Sequence, residues 1–513
     1  MQLKELIDKS FMKVYGDENI EVSGLCANSQ NVKEGDIFFA LEGTKVDGKA
    51  FAKQAVEKGA KVVVSRYKIE LPKNIVNVVC KDERKAMSLM SASFYNFPAK
   101  DLFVIGVTGT NGKTTTTFML KKIFEGAGKK VGVIGTNGAY IEDQKMDTNM
   151  TTPDPILLQQ IFCQMREKKV DVVCMEISAH ALALQKLWGV MTDIALFTNL
   201  TQDHLDFFKT MSKYKRAKEM LFKKEYALCG VVNGDDQFGM KLLSKSEIPL
   251  IGYKIISKEG QAKPHNILSY LQLEEEEQQL LDLKKSNISI FAYDHKFTSN
   301  GQTFKILVNG EKATVNLKLS GLFNVSNALG AIGAGVLYGL KLNDIVQSLG
   351  ELEMVEGRFN YYDVGGVNVV IDYAHTPDGL LNILKSVRQM ARSNKVISVF
   401  GCGGNRDKTK RPIMGKISEE NSDFTFITKD NPRFEDPMTI AKEVESGMKK
   451  SNYEIVLLRE SAILRAIESA MSGDWVVISG KGAEDYIDEM GEKKFYSDKN
   501  VVLKIKKDLI GNN

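Results

Sequence analysis

The sequence LFVIGVTGTNGKTT, residues 102–115, decides the fold of the central part of this 513-residue chain. An apolar run typical of a buried strand leads into a glycine-rich turn, and the turn leads into the helical pattern TTTFMLKKIFEGAG. Strand, turn and helix in this order are the context of a phosphate-binding loop. The glycines let backbone N–H groups approach phosphate oxygens, and the helix N-terminus adds partial positive charge. We therefore predict that this segment binds a nucleoside triphosphate.

The side chains of the same loop suit phosphates and a metal ion. Lys113 is placed to bridge the outer phosphates, and Thr114 or Thr115 to bind Mg²⁺. One position departs from the strict pattern, because Val107 stands where that pattern has a glycine. A glycine-rich turn with a coincidental lysine is the alternative interpretation. A phosphate loop alone does not distinguish a kinase, a motor or a ligase.

The composition indicates a soluble protein of several domains. Apolar residues make up 43% and charged residues 26% of a chain that is too long for one hydrophobic core. The net charge of +4 gives no general attraction to nucleic acid. Six scattered cysteines without a CxxC pair suggest neither a disulfide framework nor a zinc site, and the N-terminus lacks the apolar core of a signal peptide. We expect a cytoplasmic monomer.

Alternating strand and helix patterns predict an α/β protein with three domains, at residues 1–99, 100–348 and 349–513. The central domain combines the phosphate loop with further short apolar runs, which are typical of a parallel sheet. Within it, residues 284–319 read as a small antiparallel excursion of hairpins, preceded by a solvated acidic run at 274–277. The last domain reads as a doubly wound, Rossmann-like unit with five strand candidates.

One uncharged stretch, residues 319–340, needs a membrane check. Serine, asparagine and several glycines dilute its apolar content. We expect a buried helix entered through an Asn or Ser cap, and no membrane insertion.

Acidic and histidine side chains follow two strand candidates of the central domain. Glu176 ends one strand, and Asp203 and His204 follow another. Ligands of an open parallel sheet gather at the carboxyl ends of its strands, where a carboxylate completes a Mg²⁺ shell. A lone histidine is usually structural, but we favour a functional role for His204 because acidic groups share its strand end.

Lys218 lies on the apolar face of a helical pattern, in line with Tyr214 and Leu221. Such a lysine either extends to water or has a depressed pKa. A neutral amine could take up CO₂ and become a carbamate, which is a metal ligand. The pattern alone favours the extended conformation.

Eleven motifs in this order resemble the Mur ligases, and within them the ligases that add the third peptide residue to a UDP-muramoyl dipeptide. The motifs are TGTNGKTT (108–115), TTPD (151–154), MEISAHAL (175–182), NLTQDHLDF (199–207), YKRAK (214–218), GLFNVSNAL (321–329), GRFN (357–360), DYAHTPD (372–378), GCGGNRDKTKRP (401–412), DNPR (430–433) and GKGAEDY (480–486). The resemblance covers essentially the whole chain.

The resemblance implies an ATP- and Mg²⁺-dependent amide ligase. The residues implied for ATP are Gly109, Thr110, Asn111, Gly112, Lys113, Thr114 and Thr115, with Asn324 at the adenine and Asp372 at the ribose. Those implied for the metal are Thr114, Glu176, His204 and Lys218 as a carbamate, which overturns the extended conformation favoured above. Lys113, His204 and Lys218 would be catalytic.

Two further sets of residues are implied for the small-molecule substrates. The UDP-muramoyl dipeptide would contact Ala27, Ser29, Thr44, Lys45, Val46, Thr151, Thr152, Ser178 and Lys186. The incoming diamino acid would contact Arg406, Asp430, Asn431, Pro432, Arg433, Gly480 and Glu484. The sequence departs from the family pattern at Gln30, Leu184, Lys186 and Ala483.

The second amino-acid centre of diaminopimelate favours this substrate over lysine. Arg433 offers a planar fork for the distal carboxylate, and Glu484 can accept from the distal ammonium. Lysine lacks that carboxylate, and an unpaired Arg433 costs about 2–5 kcal/mol. Three alternatives remain open: the same ligase adding L-lysine or another diamino acid, a folate-polyglutamate type of ligase, and a P-loop kinase or regulatory nucleotide-binding protein.

Overall fold

The computed structural model of the chain describes residues 1–43, 47–146, 148, 150–256, 288–298 and 301–511. Within these residues it contains three α/β units, each built on its own sheet, and a small separate hairpin. The predicted α/β class with parallel sheets is confirmed. The predicted substrate residues Thr44, Lys45 and Val46 and the acidic run at 274–277 lie outside the described residues.

The N-terminal unit is a five-stranded sheet of order β1-β5-β4-β3-β2, parallel except at β1. Its elements are β1 Met12–Tyr15, β2 Gly24–Cys26, β3 Asp36–Phe39, α1 Ala52–Glu57, β4 Val62–Ser65, β5 Val76–Cys80 and α2 Glu83–Phe94. The strand β4 is buried on both faces, as its unbroken valine run requires. Helix α2 begins at Asp82, whose side chain accepts from Lys85 N–H.

The central unit is an eleven-stranded sheet of order β16-β15-β14-β13-β12-β11-β6-β10-β7-β8-β9. Its strands are β6 Phe103–Thr108, β7 Val131–Gly135, β8 Gly138–Ile141, β9 Gln144–Met146, β10 Val172–Glu176, β11 Thr192–Phe197, β12 Ala227–Asn233, β13 Leu250–Ile255, β14 Ile288–Thr298, β15 Gly301–Val308 and β16 Glu311–Leu317. Its helices are α3 Lys113–Gly126, α4 Pro155–Glu167, α5 Ala179–Ala183, α6 Leu205–Phe208, α7 Met211–Glu219, α8 Gln237–Lys245, α9 Leu322–Tyr338 and α10 Leu342–Gly350.

Strand β6, which leads into the phosphate loop, lies between β10 and β11 and is parallel to both. The register sets Val107 beside Glu176 on one side, and Thr108 beside Phe197 on the other. The carboxyl ends of these three strands therefore meet at one edge of the sheet, as their sequences predict. Helix α3 packs on the sheet through a buried apolar face that includes Leu120 and Phe124.

One expectation for the central unit is confirmed and one is corrected. Strands β14, β15 and β16 form the predicted antiparallel hairpins, and β14 joins them to the main sheet by pairing in parallel with β13. Helix α9 is buried as expected, but it begins at Gly321 without a side-chain cap, since Asn324 donates backwards to the Ser320 carbonyl at 2.8 Å. None of the described helices combines the length and apolar character that a membrane crossing requires.

The C-terminal unit is a six-stranded sheet of order β17-β18-β22-β19-β20-β21, parallel except at β17, with a hairpin of β23 and β24 beside it. Its elements are β17 Asn360–Val364, β18 Val367–Asp372, α11 Pro377–Ala391, β19 Val396–Phe400, α12 Lys410–Asn421, β20 Phe424–Ile427, α13 Pro437–Glu445, β21 Tyr453–Ile455, α14 Arg459–Glu468, β22 Trp475–Ser479, β23 Tyr486–Glu489, β24 Glu492–Phe495 and α15 Asp498–Gly511. The five predicted strands are present, whereas the antiparallel edge strand β17 was not predicted.

Both predicted domain boundaries fall within short helical segments. A 3₁₀ helix, Pro98–Asp101, crosses the first boundary, and α10 continues past residue 348. We therefore propose boundaries near residues 97 and 351, where the chain is between elements.

A fully buried ion pair joins α14 to α15 in the C-terminal unit. Arg459 donates from Nε and Nη2 to the two carboxylate oxygens of Asp498, at 2.8 and 2.7 Å. Arg459 Nη2 also donates to the carbonyl of Ser479 at 2.9 Å, so the pair supports the end of β22. Neither side chain is exposed.

We predict that Asp498→Asn lowers the free energy of unfolding of this unit by about 3–5 kcal/mol, because it leaves a buried guanidinium without a counter-charge. Urea unfolding followed by Trp475 fluorescence in a Trp188→Phe background measures the change. Glu454→Gln is the matched control, since it breaks the exposed pair with Arg465 and should cost less than about 0.5 kcal/mol. Equal effects of the two substitutions would contradict the prediction.

Candidate functional site

Two glycines of the phosphate loop stand where a side chain has no room. A Cβ at Gly109 would lie 1.8 Å from Thr198 Oγ1, and one at Gly112 would lie 2.3 Å from Asn327 Oδ1. Both glycines have positive φ, 157° and 86°. The loop conformation therefore depends on glycine at these positions.

Lys113 and Lys218 both donate to the carbonyl oxygen of Gly109, at 2.9 and 2.6 Å. Lys113 also donates to the Thr110 carbonyl at 2.8 Å. Lys218 is 1% exposed, so the extended conformation favoured by its pattern alone is wrong. Burial lowers the pKa of Lys218 well below its usual value and also lowers the pKa of Lys113, against the opposing charge of Glu176.

Glu176, at the end of β10, is held by one threonine. Its Oε1 accepts from the Thr136 N–H at 2.9 Å, and its Oε2 accepts from the Thr136 hydroxyl at 3.2 Å. The side chain is 1% exposed. This carboxylate therefore has a fixed position beside the phosphate loop, which its place at the end of the strand predicts.

His204 has a left-handed backbone, with φ 56°, at the start of α6. Its N–H donates to Asp203 Oδ1 at 2.8 Å, and its ring lies 4.7 Å from that of His180, centroid to centroid. Burial lowers the pKa of His204 to about 3, although the Asp203 carboxylate opposes this shift. The imidazole is therefore neutral at neutral pH, which is the form that binds metals.

The described part of the chain contains no cluster of three His, Cys, Asp or Glu side chains that would hold a metal by themselves. Mg²⁺ in phosphoryl-transfer sites takes one or two protein ligands, with phosphate and water oxygens as the rest. The fixed carboxylate of Glu176 and the hydroxyl of Thr114 are donors of this kind. The residues present therefore fit a magnesium ion that is shared with phosphates.

The residues expected at the nucleoside are engaged within their own domains. Asn324 Oδ1 accepts from Asn327 Nδ2 at 3.1 Å. Asp372 accepts from the N–H groups of Phe359 and Ala374, at 2.8 and 2.7 Å, and burial raises the pKa of its carboxyl group. Their contacts with adenine and ribose stay predictions.

The C-terminal unit reaches into the phosphate loop through side chains whose contacts the sequence did not predict. Arg358 Nη2 donates to Thr114 Oγ1 at 2.9 Å, and its guanidinium lies 4.4 Å from the centre of the Tyr373 ring. Asn111 Nδ2 donates to Asp378 Oδ2 at 2.8 Å. In the sequence, the only indication of a role for Arg358 and Asp378 was their presence in the motifs GRFN and DYAHTPD.

Asp203 is a second junction between the two units. Lys410 Nζ lies 3.9 Å from its Oδ1, and His375 Nε2 lies 3.8 Å from its Oδ2. Burial, the largest single influence, would raise the pKa of Asp203, but the nearby His375 and Lys410 help to hold it well below its usual value. The buried carboxylate therefore stays ionised between the two units.

The residues expected for the UDP-muramoyl dipeptide form two groups. Thr152 Oγ1 donates to the Glu176 carbonyl at 2.9 Å and accepts from the Ser178 N–H at 3.0 Å. Lys186 is buried, with Nζ 2.8 Å from Asp154 Oδ1, and Thr151 Oγ1 lies 3.0 Å from Thr136 Oγ1. This group therefore adjoins the strand end of β10.

The second group lies in the N-terminal unit. Ser29 donates to Gln54 Oε1 at 2.7 Å, and Ala27 is exposed. No hydrogen bond between described residues links this group to the first.

Arg433 and Arg406 approach each other in the C-terminal unit. A Cβ at Gly403 would lie 3.0 Å from Arg433 Nη1 and 3.8 Å from Arg406 Cγ. Arg433 Nη1 donates to the Gly404 carbonyl at 2.7 Å, and Arg406 forms a long ion pair, 3.9 Å, with Asp206 of the central unit. Two cations expected to contact the amino acid therefore flank one glycine loop.

Glu484 is already bonded on both oxygens. Asn431 Nδ2 donates to Oε2 at 2.9 Å, and the Tyr373 hydroxyl donates to Oε1 at 3.2 Å. Lys481, which the sequence reasoning missed, is fully buried and donates to Asn431 Oδ1 at 3.0 Å and to Glu484 Oε2 at 3.4 Å. Its position in the GKGAEDY motif was the available signal.

Asp430 and Gly480 complete this cluster. Lys481 Nζ lies 3.6 Å from Asp430 Oδ1, and a Cβ at Gly480 would lie 2.6 Å from Asp430 Oδ2. Gly480 N–H donates to the Asp372 carbonyl at 3.0 Å. Asp430, Asn431, Gly480 and Glu484, which are expected to contact the amino acid, thus lie together around Lys481. The carbonyl oxygen of Pro432 lies close to Gly404.

A buried arginine ties the loop of Arg406 to that of Arg433. Arg411 donates from Nη1 and Nη2 to the two oxygens of Glu435, at 3.0 and 3.1 Å, and to the Gly403 carbonyl at 3.1 Å. The Arg411 hydrogen bond is the main reason why the pKa of Glu435 falls to about 2.

The fold and the site together define an α/β protein whose phosphate loop, at the edge of the central sheet, contacts the C-terminal unit. Three family descriptions match the chain: Mur ligase family, catalytic domain over residues 21–93, Mur ligase middle domain over 107–335, and Mur ligase, glutamate ligase domain over 357–482. The chain belongs to the Mur ligase family.

Several similar proteins carry the name UDP-N-acetylmuramoyl-L-alanyl-D-glutamate--2,6-diaminopimelate ligase. The protein of that name from Clostridium botulinum is 41% identical over 94% of this chain and 93% of its own. A second, from Clostridium acetobutylicum, numbered 1, is 40% identical over 98% of both chains. A solved structure of such a ligase has a TM-score of 0.67 and 27% identity, and covers 99% of both chains.

The chain is therefore an ATP-dependent ligase that forms a carbon–nitrogen bond. The alternative of a P-loop kinase or a regulatory nucleotide-binding protein is wrong.

We predict that Glu435→Gln lowers the free energy of unfolding by about 2 kcal/mol at pH 7, because the depressed pKa of Glu435 marks a carboxylate that the folded state stabilises. This stabilisation is present above pH 4.5, the ordinary value, and is lost as pH falls towards 2. Urea unfolding of wild type and variant should therefore differ at pH 7 and converge below pH 4.5. Glu420→Gln, at an exposed pair, is the control; a difference independent of pH would contradict the prediction.

Proposed function

We propose that the chain adds meso-diaminopimelate to UDP-N-acetylmuramoyl-L-alanyl-D-glutamate, with ATP and Mg²⁺, in peptidoglycan synthesis. The observation that carries the choice of amino acid is the position of Arg433, whose fork lies beside Arg406 at the Gly403 loop. The names of the similar proteins agree with this choice.

Each domain has a role in this proposal. The N-terminal domain, with Ala27, Ser29 and residues 44–46, binds the UDP-muramoyl part. The central domain binds ATP through Gly109 to Thr115 and the dipeptide through Thr151, Thr152, Ser178 and Lys186. The C-terminal domain binds diaminopimelate through Arg406, Asp430 to Arg433, Gly480 and Glu484.

The first chemical step is phosphoryl transfer. The γ-carboxylate of the D-glutamate attacks the γ-phosphate of ATP, which gives an acyl phosphate and ADP. Lys113 lies 2.8 Å from the Thr110 carbonyl and exchanges that contact for a phosphate oxygen, which neutralises charge as it develops. Arg358, already at Thr114, adds a second positive charge from the C-terminal domain.

A bound Mg²⁺ would neutralise phosphate charge. Thr114, Glu176, His204 and Lys218 as a carbamate would hold it. The lowered pKa of Lys218 supports this role, because the neutral amine is the form that takes up CO₂. A carbamate would also convert one of the two cations at Gly109 into an anion.

The second step is amide formation. The neutral amine of diaminopimelate attacks the acyl carbon, the carbon–nitrogen bond forms and the carbon–oxygen bond to phosphate breaks. Inorganic phosphate leaves with that electron pair and takes up the proton that the amine nitrogen loses. Water competes for the acyl phosphate, so the site must close. We place the pivot of the C-terminal domain at Gly357 and Arg358, where Gly357 has a φ of 74°.

Lys113→Ala should reduce ADP formation by at least about 100-fold, because charge on the transferred phosphate then lacks its nearest cation. Coupled ADP release in the presence of the UDP-muramoyl dipeptide and diaminopimelate measures the rate. Lys122→Ala, on the same helix but paired with Glu351 at the surface, is the control and should retain the wild-type rate. ADP formation at the wild-type rate by Lys113→Ala would refute the scheme.

Arg433→Leu should raise the KM for diaminopimelate about thirtyfold, equivalent to about 2 kcal/mol, and lower the KM for lysine, because lysine then no longer leaves an unpaired guanidinium in the site. Only diaminopimelate has the distal carboxylate that Arg433 binds. Amide product is measured by mass spectrometry with each amino acid at saturating ATP. Arg388→Leu, at a partly exposed pair, is the control. A wild-type preference for lysine, or equal effects on both amino acids, would overturn the assignment.

A further inference from the structure

Arg433 is held in an unusual backbone conformation by the β23–β24 hairpin. Its φ of 51° lies in the left-handed region, which a residue with a long side chain rarely adopts. Its N–H donates to the Asp488 carbonyl at 2.9 Å, and its carbonyl accepts from the Met490 N–H at 2.7 Å. The hairpin therefore holds Arg433 in a strained backbone conformation, and such strain is common at functional sites.

The guanidinium of Arg433 is also fixed, from two sides. Nη1 donates to the Gly404 carbonyl at 2.7 Å, and Nε lies 3.8 Å from Asp488 Oδ2. The described residues offer no hydrogen bond to Nη2. Nε and Nη1, which lie on different edges of the guanidinium, therefore each face a protein oxygen, and Nη2 is left for a ligand.

Asp488 has no competing cation in the described part of the chain. Lys493 is opposite it in the hairpin register, but Lys493 Nζ lies over the Tyr486 ring, 4.1 Å from the ring centre. Asp488 Oδ1 is buried without a hydrogen-bond partner among the described residues. The backbone N–H of Asp488 donates to Asn431 Oδ1 at 3.0 Å. Arg433 is therefore the cation that this carboxylate faces.

We propose that Asp488 is a positioning residue that orients Arg433 towards the distal carboxylate of the diamino acid and so sets the selectivity against lysine. An arginine that is already oriented loses less conformational freedom when it binds a carboxylate. A carboxylate that bonds the far side of a binding group fixes its direction, as supporting residues do in other sites. The proposal rests on the function proposed above for Arg433.

The role has a signature that a general structural role lacks. Asp488 acts through Arg433, and Arg433 acts on a carboxylate that lysine does not have. Removing the charge of Asp488 should therefore weaken the binding of diaminopimelate alone. It should have no effect once Arg433 is absent, since two residues that act as a unit are not additive.

The test compares Asp488→Asn, Arg433→Leu and the double variant by steady-state kinetics at saturating ATP and UDP-muramoyl dipeptide. Asp488→Asn keeps the size of the side chain and should raise the KM for diaminopimelate about fivefold with little change in kcat. The KM for lysine and for ATP should stay at the wild-type value. The double variant should match Arg433→Leu.

Glu489→Gln is the matched control, because Glu489 lies on the same strand and pairs with Lys429 at 2.6 Å instead of Arg433. It should leave the KM for diaminopimelate unchanged. An equal rise in the KM for lysine, a further rise in the double variant, or an unchanged KM for diaminopimelate in Asp488→Asn would each overturn the proposal. If instead Arg433→Leu leaves the preference for diaminopimelate intact, the proposed function of Arg433 fails, and that result is separate from the Asp488 comparison.

Discussion

Two buried ammonium groups share one carbonyl oxygen, that of Gly109, and the architecture of the site depends on this contact. Burial lowers the pKa of Lys113 and of Lys218, and a neighbouring cation, Arg358 at Lys113 and Lys113 at Lys218, lowers each pKa further. The carboxylates of Glu176 and Asp203 oppose the lowering of the pKa of Lys113, and Asp203 also opposes it at Lys218. The acidic groups at the strand ends of the central sheet therefore influence the charge of the loop. Phosphate oxygens at Lys113 and a carbamate at Lys218 would each relieve the same accumulation of positive charge. The loop is thus arranged for the arrival of negative charge.

The same loop is where the central and C-terminal units meet. Thr114 accepts from Arg358, and Asn111 donates to Asp378, so both contacts use loop side chains that are also expected at the nucleotide. A hydroxyl has two lone pairs, so Thr114 can keep Arg358 and still accept a second partner, and the Asn111 amide has two donors and an acceptor oxygen. In the proposed function, nucleotide binding and the position of the C-terminal unit therefore use the same side chains.

Local patterns were sufficient for the elements that converge on this loop. The valine-rich and glycine-bounded runs predicted β6, β10 and β11 and the meeting of their ends, and helical spacing predicted that Lys218 lies on a buried face. The pairing of Arg459 with Asp498 was not predictable, because its two members are 39 residues apart in the sequence. The edge strand β17, which pairs with the next strand β18, and the uncapped start of α9, where Asn324 bonds to Ser320, rest on local contacts that the patterns did not reveal. Lys481 was missed although it stands in the GKGAEDY motif, because its burial depends also on Asp430 and Asn431, which lie in another segment of the chain.

The charge arrangement around Lys481 bears on how an amino acid is selected. Glu484 accepts from Asn431 and from Tyr373, so it reaches a distal ammonium only as a shared acceptor. Arg433, by contrast, faces protein oxygens with Nε and Nη1 and has no hydrogen bond at Nη2 among the described residues. Selection then rests more on the cost of leaving a desolvated guanidinium without a carboxylate than on attraction of the ammonium that lysine and diaminopimelate both carry. Such a site rejects lysine because lysine has no distal carboxylate to neutralise the charge of Arg433.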